Sequence, residues 1–219
     1  MKKVNSSFSW DLYHKAPVVG ILRNIPLETV LQIVPVYLQA GFFTLEVTLN
    51  TPDAAKMIKT LLQEFPEMNI GAGTVCNATE LNDALNAGSK FIVTPILNEA
   101  VIGQAVEGNI PIFPGAFTPT EIYRAWELGA SAVKVFPATQ AGVQYIKDLR
   151  GPLNDIKLLP TGGVSLANIK SFFDAGATGV GMGSSLFLSD LVREGRYDEL
   201  GDHFAKVKGE IRGCGLIDE

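Results

Sequence analysis

A closed barrel of eight β-α units is the fold this sequence predicts, on three observations. Apolar runs of strand length alternate with runs of helical spacing along nearly the whole chain. Glycine recurs where a helix gives way to the next strand, at Gly41, Gly88, Gly108, Gly129 and Gly176, positions where a helix end commonly needs a left-handed residue. No linker, composition shift or low-complexity run divides the 219 residues. The expected class is therefore α/β, a TIM-type (β/α)8 barrel, with residues 1–219 forming one domain led by a short N-terminal helix. An open, doubly wound sheet is the competing architecture. It would not usually run to eight regular units, and neither a GxGxxG nor a P-loop supports a nucleotide-binding version.

Each element has its own warrant. A short helix over 8–14 precedes the strand 17–23, which is almost wholly apolar and ends in Arg23. Leu27, Val30, Leu31 and Val34 then recur at helical spacing over 26–40, with Pro35 a candidate kink. The pattern repeats as strand 43–49 and helix 52–65, strand 69–75 and helix 78–87, then strand 91–96 and helix 99–107. It continues as strand 110–116 and helix 119–128, strand 132–137 and helix 143–149, then strand 157–161 and helix 166–175. Strand 179–183 and a last helix after Arg196 close the series.

Composition narrows the function. Hydrophobic residues at 47% and charged residues at 19% describe an ordinary globular chain. A net charge of −5, without a basic face, argues against nucleic-acid binding, so any anion site must be local. Cys76 and Cys214 lie far apart and suggest no disulfide framework, which fits a reducing cytoplasm. The N-terminus does not read as a signal peptide and no stretch is long enough to span a bilayer, so no membrane partner is expected.

Lys134, set in Ala132-Val133-Lys134-Val135-Phe136-Pro137, is the most informative residue. A desolvated lysine has a lowered pKa and can act as a nucleophilic amine, whereas a lysine at a strand end simply snorkels to solvent. Glu46 lies mid-strand between Leu45 and Val47, and a parallel barrel strand has no solvated face for it. The two charges read either as amine and proton shuttle or as a structural ion pair. Functional groups of such barrels sit at the C-terminal strand ends, which here present Arg23, Asn50, Thr74, Thr94 with Pro95, Phe117 with Thr118, and Thr161. Arg23 suits fork-like recognition of a carboxylate or phosphate, or else a rim salt bridge. Gly71-Ala72-Gly73-Thr74 places glycines where a ligand or a neighbouring backbone comes close. Thr161-Gly162-Gly163 and Gly183-Ser184-Ser185 follow the last two strands, where these barrels commonly hold a phosphate; the plainer reading is tight-turn glycine. His14 and His203 fall outside the strand ends, which disfavours a metal mechanism.

These residues carry a resemblance. LEVTLNTPDA around Glu46, GAGTV at 71–75, IVTP at 92–95, FPGAFTPTE at 113–121, AVKVFPA around Lys134, PTGGV at 160–164 and GMGSSLF at 181–187 resemble the bacterial 2-keto-3-deoxy-6-phosphogluconate (KDPG) aldolases. That family also includes 4-hydroxy-2-oxoglutarate (KHG) and 2-keto-3-deoxy-6-phosphogalactonate aldolases. The resemblance implies a trimeric TIM barrel and class I aldolase chemistry without metal or other cofactor. Lys134 would form the Schiff base with pyruvate and Glu46 would shuttle protons. Thr74 would help hold the pyruvate carboxylate, with Pro95 and Phe136 shaping the pocket, and Gly162, Gly163 and Ser184 would hold the phosphate, with Thr161 and Gly183 in the same loops. Gluconate-type members commonly carry an arginine where this chain has Asn50, while Arg23 stands at the end of the first strand. That pairing looks more like the galactonate-type members, and Arg23 is expected to supply the missing charge. The expected substrate is KDPG, with KHG in addition; the galactonate epimer is the alternative. A phosphosugar isomerase or epimerase and a non-catalytic phosphate-binding protein are the other classes weighed.

Overall fold

The computed structural model describes residues 7–213. In order the elements are α1 (Trp10–His14), β1 (Val18–Leu22), α2 (Leu27–Gln39), β2 (Thr44–Thr48), α3 (Ala54–Glu64), β3 (Asn69–Gly73), α4 (Ala78–Asn86) and β4 (Ile92–Val93). They continue with α5 (Glu99–Glu107), β5 (Ile112–Phe113), β6 (Gly115–Ala116), α6 (Pro119–Glu127), β7 (Val133–Val135), α7 (Ala138–Arg150) and β8 (Leu158–Pro160). The chain then forms α8 (Ile169–Asp174), β9 (Val180–Met182), α9 (Ser189–Glu194) and α10 (Tyr197–Arg212). Among the described residues, no helix is long and apolar enough to cross a membrane.

All strand pairs are parallel and run in two arcs, β5-β4-β3-β2-β1-β9 and β6-β7-β8. The arcs meet at two seams, giving a TIM-barrel-like sheet. At one seam, β5 and β6 are the halves of a single predicted strand, divided by Pro114, which has no N–H for the ladder. The Thr94 hydroxyl accepts from the Gly115 N–H at 3.2 Å, and the Pro114 carbonyl accepts from the Lys134 N–H at 2.9 Å. A parallel bridge between Thr161 and Gly181 joins the other seam.

The helices coat the sheet because each carries one apolar face. On α3, Ala54, Met57, Ile58 and Leu61 are buried, and on α10 Leu200, Phe204, Val207 and Ile211, both at helical spacing. Their starts are set by capping: Thr118 and Glu121 form a capping box on α6 with Pro119 in the first turn, and Asn77 and Asn98 cap α4 and α5. The main core lies between strands and helices. A second, smaller cluster fills the barrel's interior at its N-terminal end, where Phe8 and Tyr13 plug against Phe91, Phe113, Val19 and Leu159.

Three local expectations change. Gly41, Gly88, Gly129 and Gly176 are left-handed, with φ from 82° to 97°, but Gly108 closes α5 in right-handed geometry and Asn109 (φ 55°) makes the left-handed turn one residue later. Asparagine tolerates that conformation, so the joint needs no glycine there. Helix α2 continues on both sides of Pro35. Helix α7 begins a turn earlier than predicted, at Ala138, with a non-helical Gly142 (φ 72°, ψ 174°) before the segment expected from 143. Cys214 lies outside the described residues.

Candidate active site

Side chains alternate across a strand, so one inward residue fixes its neighbours. On β7, Val133 and Val135 pack into the outer core while Ala132 belongs to the inner cluster, which turns Lys134 into the barrel. On β2 the same rule sends Leu45 and Val47 outward and Glu46 inward. Lys134 is 5% exposed and Glu46 1%. Lys134 Nζ lies 5.0 Å from the centroid of the Phe136 ring.

Glu46 is held in space that glycine leaves open. A Cβ on Gly73 of the adjacent β3 would lie 2.3 Å from Glu46 Oε1 and 2.6 Å from its carboxyl carbon. Oε2 is buried without a protein hydrogen-bond partner, a condition that costs about 1–3 kcal/mol. No direct ion pair joins Glu46 to Lys134 among the described residues. The expected pairing is thus electrostatic coupling only.

Burial pushes the Glu46 carboxyl above its ordinary range, opposed by the positive charges of Lys134 and Arg23. Burial likewise pulls the Lys134 ammonium below the usual lysine range; Glu46 opposes this and Arg23 adds to it. Burial thus biases the acid toward its proton and the lysine toward its free amine, and the attraction between their charges opposes both shifts; such tuning suits a proton shuttle beside a nucleophilic amine.

Above this pair opens a cavity of about 980 Å³. It brings together most of the residues singled out from the sequence: Arg23, Lys134, Phe136, Thr161, Gly162, Gly163, Gly183 and Ser184. Gly162 and Gly163 are both left-handed (φ 88° and 79°), and a Cβ on Gly163 would lie 2.9 Å from Thr139. Among the described residues, the N–H groups of Gly163 and Ser184 have no backbone acceptor. The two loops are tied together by Ser185, whose hydroxyl donates to the Val164 carbonyl. Its own carbonyl accepts from His203 Nε2 on α10 at 2.9 Å. Free amides beside a cavity are suited to a phosphate.

Other expected residues lie to the side. Asn50 and Thr74 line a neighbouring depression of about 530 Å³ with Cys76 and Glu80. Thr74 has φ 59°, a conformation costly for a β-branched residue. Pro95 is half-buried, a Cβ on Gly115 would meet its carbonyl at 2.4 Å, and it does not line the main cavity. Sequence reasoning missed Asn24, Ser165 and Arg193, which line the cavity from loops and from α9. It also left His203 without a role. Only the spacing of Ser189, Val192 and Arg193 could have signalled a common helix face.

Comparison with known proteins follows this geometry. A family model described as KDPG and KHG aldolase matches residues 11–202. The 2-dehydro-3-deoxy-6-phosphogalactonate aldolase of Escherichia coli K12 is 37% identical over 175 residues, covering 79% of this chain and 85% of its own. A solved structure described as native KDPGal superposes with a TM-score of 0.86 at 31% identity, covering 96% of this chain and 100% of the other. A KDPG aldolase from Legionella pneumophila, solved with pyruvate captured as a covalent carbinolamine intermediate, gives 0.83 at 27% identity, covering 90% and 96%. The chain belongs to the KDPG and KHG aldolase family, and it is a lyase.

Proposed function

We propose that the chain is a class I aldolase that cleaves a phosphorylated 2-keto-3-deoxy acid to pyruvate and glyceraldehyde 3-phosphate, with Lys134 as the imine-forming amine. The observation that carries this reading is the inward Lys134, with its pKa lowered by burial, coupled to a buried Glu46 beneath a cavity rich in free amides. Cleavage next to a ketone fails in water because the departing carbanion is too unstable. When neutral Lys134 condenses with the C2 ketone, a proton passed from Glu46 lets the carbinolamine hydroxyl leave as water and a cationic iminium forms, with Glu46 left as the carboxylate. The C3–C4 electron pair then flows into the iminium, giving a neutral enamine. Glu46, acting through a water, takes the C4 hydroxyl proton as the aldehyde departs and returns it to C3 of the enamine. Hydrolysis releases pyruvate and restores the amine. Amides of the loops after β8 and β9 anchor the phosphate, so remote binding energy positions the reacting carbons.

The gluconate- and galactonate-derived acids differ at C4 and give the same products. KDPG is the reading the motifs suggest first, and KHG cleavage to pyruvate and glyoxylate is a further activity of the same chemistry. Asn50 in place of an arginine, with Arg23 lining the cavity, favours the galactonate epimer; so does the 37% identity to the galactonate enzyme. The same reading makes the chain one barrel domain, assembled as a homotrimer in a reducing cytoplasm. An apolar surface of Tyr123, Tyr145 and Leu153, beside Phe117 stacked on Tyr145, suits such an assembly.

Borohydride trapping with pyruvate, followed by peptide mass spectrometry, tests the mechanism. A reduced pyruvate adduct on Lys134 is expected, together with complete loss of turnover in Lys134→Ala. A folded protein that forms no adduct would overturn the imine reading and leave a phosphate-binding barrel of another kind. Assay of both epimers side by side then sets the substrate.

A further inference from the structure

The cavity's lining holds three cations, Arg23, Lys134 and Arg193, and no acid among its described residues. Such a lining suits a substrate that is anionic at both ends. Two of the cations are already committed. Lys134 must be neutral to attack a ketone, and Arg23 acts on the protonation of Lys134 and Glu46, at the end where the reaction takes place. Arg193 belongs to the other end. It lies on α9, which follows directly from the loop carrying Gly183 and Ser184, and its neighbours Ser189 and Val192 on the same helix face also line the cavity.

The surroundings of Arg193 leave it available. Its guanidinium is 2.9 Å from Asp190 and 3.8 Å from Glu194, but Glu194 is also 3.1 Å from Arg196. Arg196 is in turn paired to Glu199 at 2.6 Å. Only Asp190 therefore holds Arg193 closely, through a pair whose side chains are 69% and 73% exposed. A surface pair of that kind is weak, so releasing it costs little. A phosphate dianion accepts two parallel N–H bonds from a guanidinium, which a lone surface carboxylate does not outcompete once water is excluded.

We infer that Arg193 is a specificity-determining residue for the phosphate-bearing half of the substrate, its guanidinium moving from Asp190 to the phosphate held by the amides of Gly163 and Ser184. This rests on the aldolase reading above. Backbone amides supply direction but no net charge; Arg193 supplies the charge that favours a phosphorylated acid over an unphosphorylated one.

The test is steady-state cleavage by the full chain of the two C6-phosphorylated acids and of 4-hydroxy-2-oxoglutarate, which lacks the phosphate. Inhibition by inorganic phosphate is measured in parallel. Arg193→Gln is expected to raise KM for the phosphorylated acids on the order of tenfold relative to that for 4-hydroxy-2-oxoglutarate, with the loss in KM and not in kcat. Phosphate inhibition should weaken in step, Arg193→Lys should recover part of the loss, and added salt should shrink it. An unchanged KM ratio and unchanged phosphate inhibition in Arg193→Gln would overturn the inference while leaving the aldolase reading intact. A wild-type chain that cleaves none of these acids would remove both, whereas one that cleaves them without preferring the phosphorylated ones would remove this inference alone, and either outcome shows before any variant is made.

Discussion

The lower and upper parts of the barrel interior are lined by the same strands, two residues apart, and follow opposite rules. Near the N-terminal ends the inward positions hold Phe113, Ala132 and Leu159 in one aromatic-rich cluster, with Phe8 and Tyr13 closing it from below. Two residues further along, Phe113 is succeeded by Gly115, Ala132 by Lys134 and Leu159 by Thr161. The rings below touch edge to face, Phe8 to Phe91 at 5.4 Å and Phe8 to Phe113 at 6.2 Å. Above, glycine replaces bulk so that charged groups fit: Gly73 makes room for Glu46 and Gly181 for Thr161, each of which a Cβ would approach to 2.3 Å. The lower layer stabilises the barrel, and that margin lets the upper layer keep a buried lysine, a buried acid and an orphan carboxylate oxygen.

If the layers are separable, damage to one should spare the other. Phe113→Ala empties a fully buried site at the plug and is expected to cost about 3–5 kcal/mol of stability. Protein that remains folded should keep near-normal kcat and KM. Urea midpoints paired with kinetics well below the transition check this; a kcat that falls with stability would show that the layers act as one.

Gly73→Ala tests the upper layer by crowding it. The added methyl would overlap Glu46 Oε1, so the carboxylate or the strand must shift, at about 1–3 kcal/mol and with a marked loss of kcat. Gly103→Ala is the control. It lies inside α5 with nothing within 4 Å of the added Cβ, and should gain about 0.5–1 kcal/mol of stability with unchanged kinetics. Retained kcat in Gly73→Ala would mean that Glu46 need not stay where it is.

The sequence made the upper layer easier to read than the lower. Parallel barrel strands are buried on both faces, so Glu46 and Lys134 stand out against Val and Leu and have only the interior to face. Phe91 and Phe113 look no different from outward core residues, and their pairing with Phe8 depends on how the N-terminal segment docks. The joint at Gly108 and Asn109 was placed one residue early because both residue types allow the left-handed turn. The missing Lys134–Glu46 ion pair was not legible either, since separation inside a barrel is set by the register of β2, β3 and β7. Arg193 and His203 escaped notice because they approach the cavity from helices, not from strand ends.

The finest test of the upper layer is the sign of its coupling. Imine formation needs neutral Lys134, so its rate falls as pH drops through the lysine's pKa, which burial has lowered. Arg23 disfavours the ammonium and contributes to that lowering; Arg23→Gln removes a positive charge, so the pKa rises and the acid limb moves to higher pH. Glu46 favours the ammonium; Glu46→Gln removes a negative charge, so the pKa falls further and the limb moves to lower pH. The Glu46 shift should be the larger, because its charge acts on Lys134 more strongly than that of the exposed Arg23. The pH dependence of borohydride trapping with pyruvate reads both without requiring turnover. Shifts in the same direction would mean that the two side chains act on Lys134 through packing, and opposite shifts that they act through charge.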